Sequence, residues 1–398
     1  MLIGLVGKPS SGKSTFFQAI TSIPVARADY PFTTIEPNRG VAYVEIECVD
    51  KDFGVKCNPR TGFCVNSRRF APVEVLDVAG LVPGAHEGKG LGNKFLDDLR
   101  QADLLIHIVD ASGSTNENGE GVTPGSHDPC KDVLFLEEEL THWLKGILDN
   151  NWNKLVREGA LNKKNEDILH NQFTGLGIKI DAIRRTLNGL SLMDKKLSEW
   201  SDEEKFSFSR KMREIGKPII IAANKCDKST AAENVIRLKE KFQSYLIVPC
   251  SAEAEIALKE AAKKEFIGYI SGDDNFTVKK ELNEQQKKAM DVLAGVLKAY
   301  HSTGVQKTLD AAVFDFLKYI AIFPGGVNKL SDSKGNVLPD VFLLPPGSTA
   351  LDFAFTLHTD MGRGFIKAVN VKTKQPVGKE HPLLHRDVIE LYFKKPQE

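Results

Sequence analysis

No stretch constrains this chain more than Gly7-Lys-Pro-Ser-Ser-Gly12-Lys13-Ser14, which fits the spacing G-x4-G-K-S/T. Its flanks match as well: the apolar run LIGLV precedes it at 2–6, and the helical pattern beginning FFQAI follows. A short continuous apolar run reads as a strand buried on both faces of a parallel sheet. Strand, glycine-rich turn and helix start together make a phosphate cradle. The glycines let successive backbone N–H groups curve round an anion, and the helix end adds partial positive charge. On this reading Gly7, Lys8, Pro9, Ser10, Ser11, Gly12, Lys13, Ser14 and Thr15 bind a nucleotide. Lys13 reaches its β- and γ-phosphates, and the Ser14 hydroxyl ligates Mg2+.

Four further apolar runs follow: VEVLDVAG at 73–80, ADLLIHIVDAS at 102–112, KPIIIAANKCD at 217–227 and SYLIVPCSAE at 244–253. Helical stretches separate most of them. Such alternation predicts an α/β fold, a mostly parallel sheet with helices on both faces and ligands at the carboxyl ends of its strands. The interval from Ser112 to Lys217 is too long for one crossover. GSTNENGEGVTPGSHDPCKD reads as a long turn-rich loop. Leu136, Leu140, Trp143, Ile147 and Leu148 then recur at helical spacing, and Ser201 to Glu204 has capping-box spacing. The expectation is a helical insertion over 133–215, built as an antiparallel pair. Residues 254–320 read as mainly helical. PGGVNKLSDSKGN at 324–336 marks a boundary, and the runs VFLLP, GFIKAVNV and DVIELYF beyond it form a small α+β unit. The expected division is therefore 1–132 with 216–323, 133–215, and 324–398.

The polar ends of the runs carry the remaining chemistry. Asp77-Val-Ala-Gly80 offers a carboxylate to the Mg2+ shell through water and a Gly80 N–H to the γ-phosphate. LVPGAHEGKGLGN after it reads as a γ-phosphate-sensing switch. Thr33 or Thr34 in YPFTTIEPNRG is placed to ligate Mg2+ when the γ-phosphate is present. Asn224-Lys225-Cys226-Asp227 selects the base. Guanine presents N1–H and N2–H donors on one edge, which a single Asp227 carboxylate accepts, whereas adenine places an acceptor there. Asn224 contacts the opposite edge and braces the phosphate loop, the Lys225 stem covers the ring, and Ser251-Ala252-Glu253 offers backbone N–H to guanine O6.

Bulk properties exclude other classes. Fifty-three basic residues balance fifty-three acidic ones, so whole-chain charge points to neither nucleic acid nor membrane. No apolar run approaches the ~18 residues that span a bilayer. With no secretory start, a cytoplasmic protein without membrane contact, and a monomer, is expected. The six cysteines read as reduced thiols. Cys48, Cys57 and Cys64 offer three thiolates, but tetrahedral zinc takes four ligands and no C-x-x-C pair is present.

YPFTTIEPNRG, DVAGLVPGAHEGKGLGNKFLDDLRQADLLIHIVD and VFLLPPGSTALDFAFTLHTDMGRGFIKAVN resemble the Obg family of translation-factor-class GTPases, and within it the YchF-like branch. The resemblance covers nearly the whole chain. It implies a P-loop G domain with a helical insertion and a C-terminal TGS domain of ubiquitin-like β-grasp fold. It assigns the Mg2+-binding threonine to Thr34 and implies a link to ribosomes or RNA; with Lys13 and Gly80 from the motifs, Thr34 makes up the expected catalytic group. This sequence departs from YchF proper, associated with ATP, by keeping an intact NKCD, which favours GTP. It also has Ser10 where many relatives have an asparagine linked to potassium-assisted hydrolysis.

Leu81 occupies the position at which Ras-like enzymes orient the attacking water with glutamine, so hydrolysis is expected to be slow. His86 and His127 are candidates for that task, though loop histidines are more often solvated. From Gly362 onward eight basic residues (Arg363, Lys367, Lys372, Lys374, Lys379, Arg386, Lys394, Lys395) face four acidic ones, enough for an RNA-contacting face. The reading is a Mg2+-dependent GTPase switch using GTP and GDP, with a ribosome as partner. Its rivals are a YchF-type ATPase and a non-enzymatic RNA-binding module.

Overall fold

The computed structural model describes residues 1–22, 38–78, 98–161 and 163–394. They fall into two compact units. Among the described residues the first comprises 1–20, 38–40, 74–78, 98–161 and 163–308; the second comprises 21–22, 41–73 and 309–394.

A seven-stranded sheet is ordered β2-β4-β1-β5-β6-β7, with β3 on β4. Its strands are β1 (Leu2–Val6), β2 (Arg39–Glu47), β3 (Phe63–Val65), β4 (Arg68–Asp77), β5 (Leu104–Asp110), β6 (Ile219–Asn224) and β7 (Ile247–Pro249). Within the first unit β4, β1, β5, β6 and β7 pair in parallel, as the five apolar runs predict. Every residue of β1, β5 and β6 is buried, which is why these strands read as continuous apolar runs rather than alternating ones. The register sets Asp110 opposite Asn224, so the ends of β5 and β6 fall at one level.

Among the described residues five α-helices, not a pair, fill the interval between β5 and β6: Cys130–Asn150, Trp152–Gly159, Asn165–Phe173, Ile180–Gly189 and Asp202–Gly216. Leu136, Leu140 and Trp143 of the first and Phe208 and Met212 of the last join Leu2, Val6, Leu76 and Leu105 in one buried cluster. The apolar stripe is thus core. The capping box forms: Ser201 Oγ accepts the Glu204 N–H at 3.2 Å, and Glu204 accepts the Ser201 N–H at 2.8 Å. On the other face the helix Ala231–Lys241 packs Val235 and Leu238 against Val109 and Ile221. Beyond β7 come the helix Ala252–Lys263, an antiparallel ribbon of β8 (Ile267–Gly268) and β9 (Thr277–Val278), and the helix Glu284–Tyr300.

The second unit carries a mixed five-stranded sheet, ordered β11-β10-β14-β12-β13. Its strands are β10 (Ile320–Pro324), β11 (Phe342–Leu344), β12 (Phe365–Asn370), β13 (Gln375–Val377) and β14 (Asp387–Phe393). Central β10 and β14 run parallel, and the other pairings are antiparallel. The helix Ala350–Leu357 lays Ala350 and Phe353 among Ile322, Leu344, Ala368 and Ile389, which gives a β-grasp. Val41–Val73 groups with this unit, across the boundaries expected from sequence. The reason is hydrogen bonding. The Glu45 N–H donates to Asp310, the Asn58 N–H to the Val337 carbonyl, and the Arg69 guanidinium to the Leu338 and Pro339 carbonyls.

Candidate functional site

β1 ends at Val6, and the helix Lys13–Thr21 begins six residues after Gly7. The intervening loop turns through two positive φ values, +62° at Ser10 and +91° at Gly12. At Gly12 a side chain would collide with the Asn224 amide, so glycine is needed there for both conformation and space. Lys13 forms an ion pair with Asp77, and the exposed Ser14 lies at the same helix start. The phosphate-loop cation and the carboxylate at the end of β4 are thus neighbours. A hydroxyl and a carboxylate suit Mg2+, a hard cation that takes few protein oxygens and keeps its waters. Thr33, Thr34, Gly80, Leu81 and His86 lie outside the described residues.

The loop 224–227 at the end of β6 is tied to the phosphate loop. Asn224 Nδ2 donates to the Ser11 carbonyl at 3.1 Å, and Lys225 Nζ donates to the Ser10 carbonyl at 2.9 Å. Asp227 Oδ1 accepts the Ser251 hydroxyl at 2.7 Å. The carboxylate is therefore oriented by the next strand end rather than left to rotate. Cys226 is buried against Leu258, Leu293 and Leu297, which anchors the loop from below. At 251–253 two amides are already engaged. Ser251 N–H donates to the Thr303 carbonyl at 2.9 Å, and Ala252 N–H to Asn224 Oδ1 at 3.1 Å. Offering an amide to guanine O6 from this stretch thus involves Glu253 or requires Asn224 to release Ala252.

Asp110 is a further candidate at this site that the motifs did not point to. Fully buried at the end of β5, it accepts from the Ser112 N–H and hydroxyl, from Ser114 and Thr115, and from Lys225 Nζ at 2.9 Å. Burial raises its pKa, but the Ser112, Lys225 and Thr115 hydrogen bonds and the Lys225 charge outweigh that. The carboxyl stays below the ordinary aspartate value and remains ionised. A carboxylate at a strand's carboxyl end was visible in sequence; its link to Lys225 was not.

The structure places two further side chains, and for His127 it corrects the expectation of an open loop. Lys8 belongs to the phosphate loop, yet its ammonium is buried and held by the Thr115 carbonyl at 2.7 Å and by Asp132 at 2.9 Å. Only its backbone remains for a phosphate. His127 is also buried, with Nε2 2.8 Å from the same Asp132, so it braces this cluster rather than meeting water in an open loop. The turn-rich segment after β5 is consequently an ordered buttress. Lys8 joins it to the phosphate loop, and Gly119 packs directly on Pro9.

The basic surface is smaller than the sequence count implies. Lys372 pairs with Asp52 at 2.6 Å, and Arg386 with Glu47 at 3.0 Å and Asp52 at 3.3 Å, all within the second unit. Arg363, Lys367, Lys374, Lys379 and Lys394 remain exposed, and Lys395 lies outside the described residues. No helix among the described residues is long and apolar enough to cross a membrane.

Strand order, phosphate loop and C-terminal β-grasp define a P-loop G domain joined to a TGS domain. Comparison with known proteins agrees along the chain. Residues 2–130 match the family model described as 50S ribosome-binding GTPase, 222–326 match the Obg-like GTPase YGR210-like, G4 motif-containing domain, and 334–392 match the TGS domain. An uncharacterized GTP-binding protein of Methanocaldococcus jannaschii is 47% identical over 391 residues, 98% of each chain. The ribosome-binding ATPase YchF of Mycoplasma genitalium is 29% identical, over 92% of this chain and 86% of its own. The crystal structure of a GTP-binding protein from Pyrococcus horikoshii superposes with a TM-score of 0.77 at 35% identity, covering 99% of this chain and 100% of that one. The chain belongs to the Obg-like family of GTP-binding proteins, on its YchF-like branch.

Proposed function

We propose that this protein is a slow, Mg2+-dependent GTPase that acts as a molecular switch on the ribosome. The observation that carries the guanine assignment is Asp227, held by Ser251 in a loop that Asn224 and Lys225 tie to the phosphate loop. A carboxylate fixed there accepts both donors on the guanine edge and leaves adenine unpaired. Gly7 to Thr15 cradle the phosphates. Lys13 exchanges Asp77 for the β- and γ-phosphate oxygens, where its charge is worth most as negative charge builds on the leaving group. Ser14, Thr34 and, through water, Asp77 would hold Mg2+, which when bound neutralises phosphate charge. The Gly80 N–H meets the γ-phosphate. Water then adds to the γ-phosphorus, the bond to the bridging oxygen breaks, and GDP and phosphate leave. Leu81 offers that water no hydrogen bond, so turnover is slow until a partner supplies one.

The segments around Thr34 and Gly80 would order with GTP and release after hydrolysis, and the helical insertion (133–215) and the TGS domain (324–398) would pass this on to the partner. The ribosome enters through the relatives, one named a ribosome-binding ATPase, and through the exposed Arg363, Lys367 and Lys374. The same name supports a second reading, ATP as substrate, which the intact NKCD opposes. The protein would work in the cytoplasm as a monomer.

The test is GTP against ATP hydrolysis by the full chain, with and without ribosomes, beside Asp227→Ala and Lys13→Ala. GTP preference lost in Asp227→Ala and turnover raised by ribosomes are expected. ATP preference in the wild type, or nucleotide binding unaffected by Lys13→Ala, would overturn the reading.

A further inference from the structure

The second unit contains a cluster that the GTPase reading does not use. Cys48 follows the end of β2, Asp50 opens the turn Lys51–Phe53, Cys57 lies in the following loop, and Cys64 sits in the middle of β3. These residues are spread over seventeen positions, yet the fold brings them to one point. The turn around Lys51–Phe53 reverses the chain and closes with Gly54 at φ +62°. A tight hairpin with positive φ at Asn66 and Ser67 returns β3 onto β4, and the Cys48 N–H donates to the Ser67 carbonyl at 2.8 Å. As a result the three Sγ atoms and one Asp50 carboxylate oxygen all lie within 4.8 Å of one another.

We propose that Cys48, Asp50, Cys57 and Cys64 form a structural zinc site. Three observations carry this beyond proximity. The first is spacing. Two sulfurs each ~2.3 Å from a tetrahedral zinc lie about 3.8 Å apart. Cys48 Sγ and Cys57 Sγ are 3.7 Å apart, whereas a disulfide needs about 2.0 Å. The second is an orphan: Asp50 is 3% exposed, and its Oδ1 has no hydrogen-bond partner. A buried carboxylate oxygen without a donor is costly, and a cation resolves the cost. The third is charge. Zn2+ with three thiolates and one carboxylate carries a net charge of minus two, which needs a counter-charge. Arg69, across the hairpin from Cys64, is completely buried, donates only to backbone carbonyls, and has no carboxylate partner among the described residues. Soft thiolates with one hard oxygen in a closed set of four favour Zn2+ over Mg2+ or Ca2+ and mark a structural rather than catalytic site.

The consequence lies within the second unit. The loop that zinc would pin supplies the Asn58 and Arg60 amides, which donate to the Val337 and Pro339 carbonyls at 2.8 and 2.9 Å. Zinc therefore fixes the strip that holds Val41–Val73 to the TGS domain. The fourth ligand is a carboxylate two residues from Cys48, in a spacing with no C-x-x-C, so the three thiols alone do not spell a zinc site in the sequence.

The experiment uses the full chain, expressed with zinc and purified under reducing conditions. Elemental analysis should find one zinc per chain, and X-ray absorption at the zinc edge should show three sulfur neighbours and one oxygen. Replacement by Co2+ should give tetrahedral visible bands and thiolate-to-metal charge transfer. Asp50→Asn and Cys57→Ser should each weaken Co2+ binding at least tenfold, while Cys130→Ala, outside the cluster, leaves it unchanged. Chelation should speed amide exchange in 48–64 and 336–340. A chain that takes up neither zinc nor tetrahedral cobalt, one that holds iron, one whose zinc shell is not three sulfurs and one oxygen, or one that carries a Cys48–Cys57 disulfide in place of metal overturns the assignment. The absorption spectrum needs only the wild type, so a misfolded variant leaves the test intact.

Discussion

Asp110 shows how much of this site depends on one buried carboxylate. It accepts Lys225 Nζ and three hydroxyls, and it holds the lysine that also reaches the phosphate loop at Ser10. Asp110→Asn keeps the shape but removes the charge. Lys225 then loses its counter-ion, and GTP affinity should fall about tenfold, ~1.4 kcal/mol, in a nucleotide titration. The same residue sets a pH dependence. Its folded pKa lies below the unfolded value of about 3.9, so the folded state holds fewer protons in that interval. Its contribution to stability is complete above about pH 3.9 and is lost as pH falls through the lower, folded value. Acid unfolding followed by circular dichroism should be less steep below about pH 4 in Asp110→Asn than in the wild type. The motif residues Lys13, Asn224 and Asp227 were legible because their spacing is local. Asp110 was not, because its role comes from the alignment of β5 with β6.

At the scale of elements, the segment after β5 is the informative one. Its glycines, asparagines and serines predict turns, and turns are what form. What composition did not show is that they stack on the phosphate loop. A Cβ at Gly119, where φ is +81°, would lie 2.6 Å from the Pro9 carbonyl oxygen. Gly119→Val therefore combines a strained backbone with a collision and should cost about 1–3 kcal/mol. It should also speed GDP release, measured with a fluorescent nucleotide, because the displaced neighbour is the phosphate loop itself. An unchanged release rate would mean that the buttress does not set the loop's position. In the insertion, periodicity identified helices correctly but not their number. Apolar spacing marks a buried face and carries no record of where the chain turns between short helices such as Trp152–Gly159 and Asn165–Phe173.

For the whole molecule, the candidate nucleotide ligands among the described residues all belong to the first unit. A ligand that binds only the folded state stabilises what it binds, by about 2.7 kcal/mol at a hundred times its Kd. Saturating GTP should therefore slow amide exchange in 1–22, 104–132 and 219–254 far more than in 320–394. Hydrogen exchange read by mass spectrometry checks this, and equal protection in both regions would contradict it. A formal net charge of zero excluded a globally basic protein, and the Lys372 and Arg386 ion pairs narrow the local basic surface further.

Sequence by itself determined the parallel strands, the phosphate loop, the place of the loop 224–227 at a strand end and the C-terminal sheet. Each of these depends on residues close together in the chain: an apolar run, a glycine spacing, a carboxylate at a strand end. Tertiary structure alone decided that Lys8 faces Asp132, that Asp110 anchors Lys225, and that Val41–Val73 joins the C-terminal unit. It also decided that a carboxylate completes the three thiols at Cys48, Cys57 and Cys64. These are meetings of buried charged or soft groups from separate segments. Sequence lists the groups, but only the folded chain sets their distances and removes the water that would otherwise satisfy them.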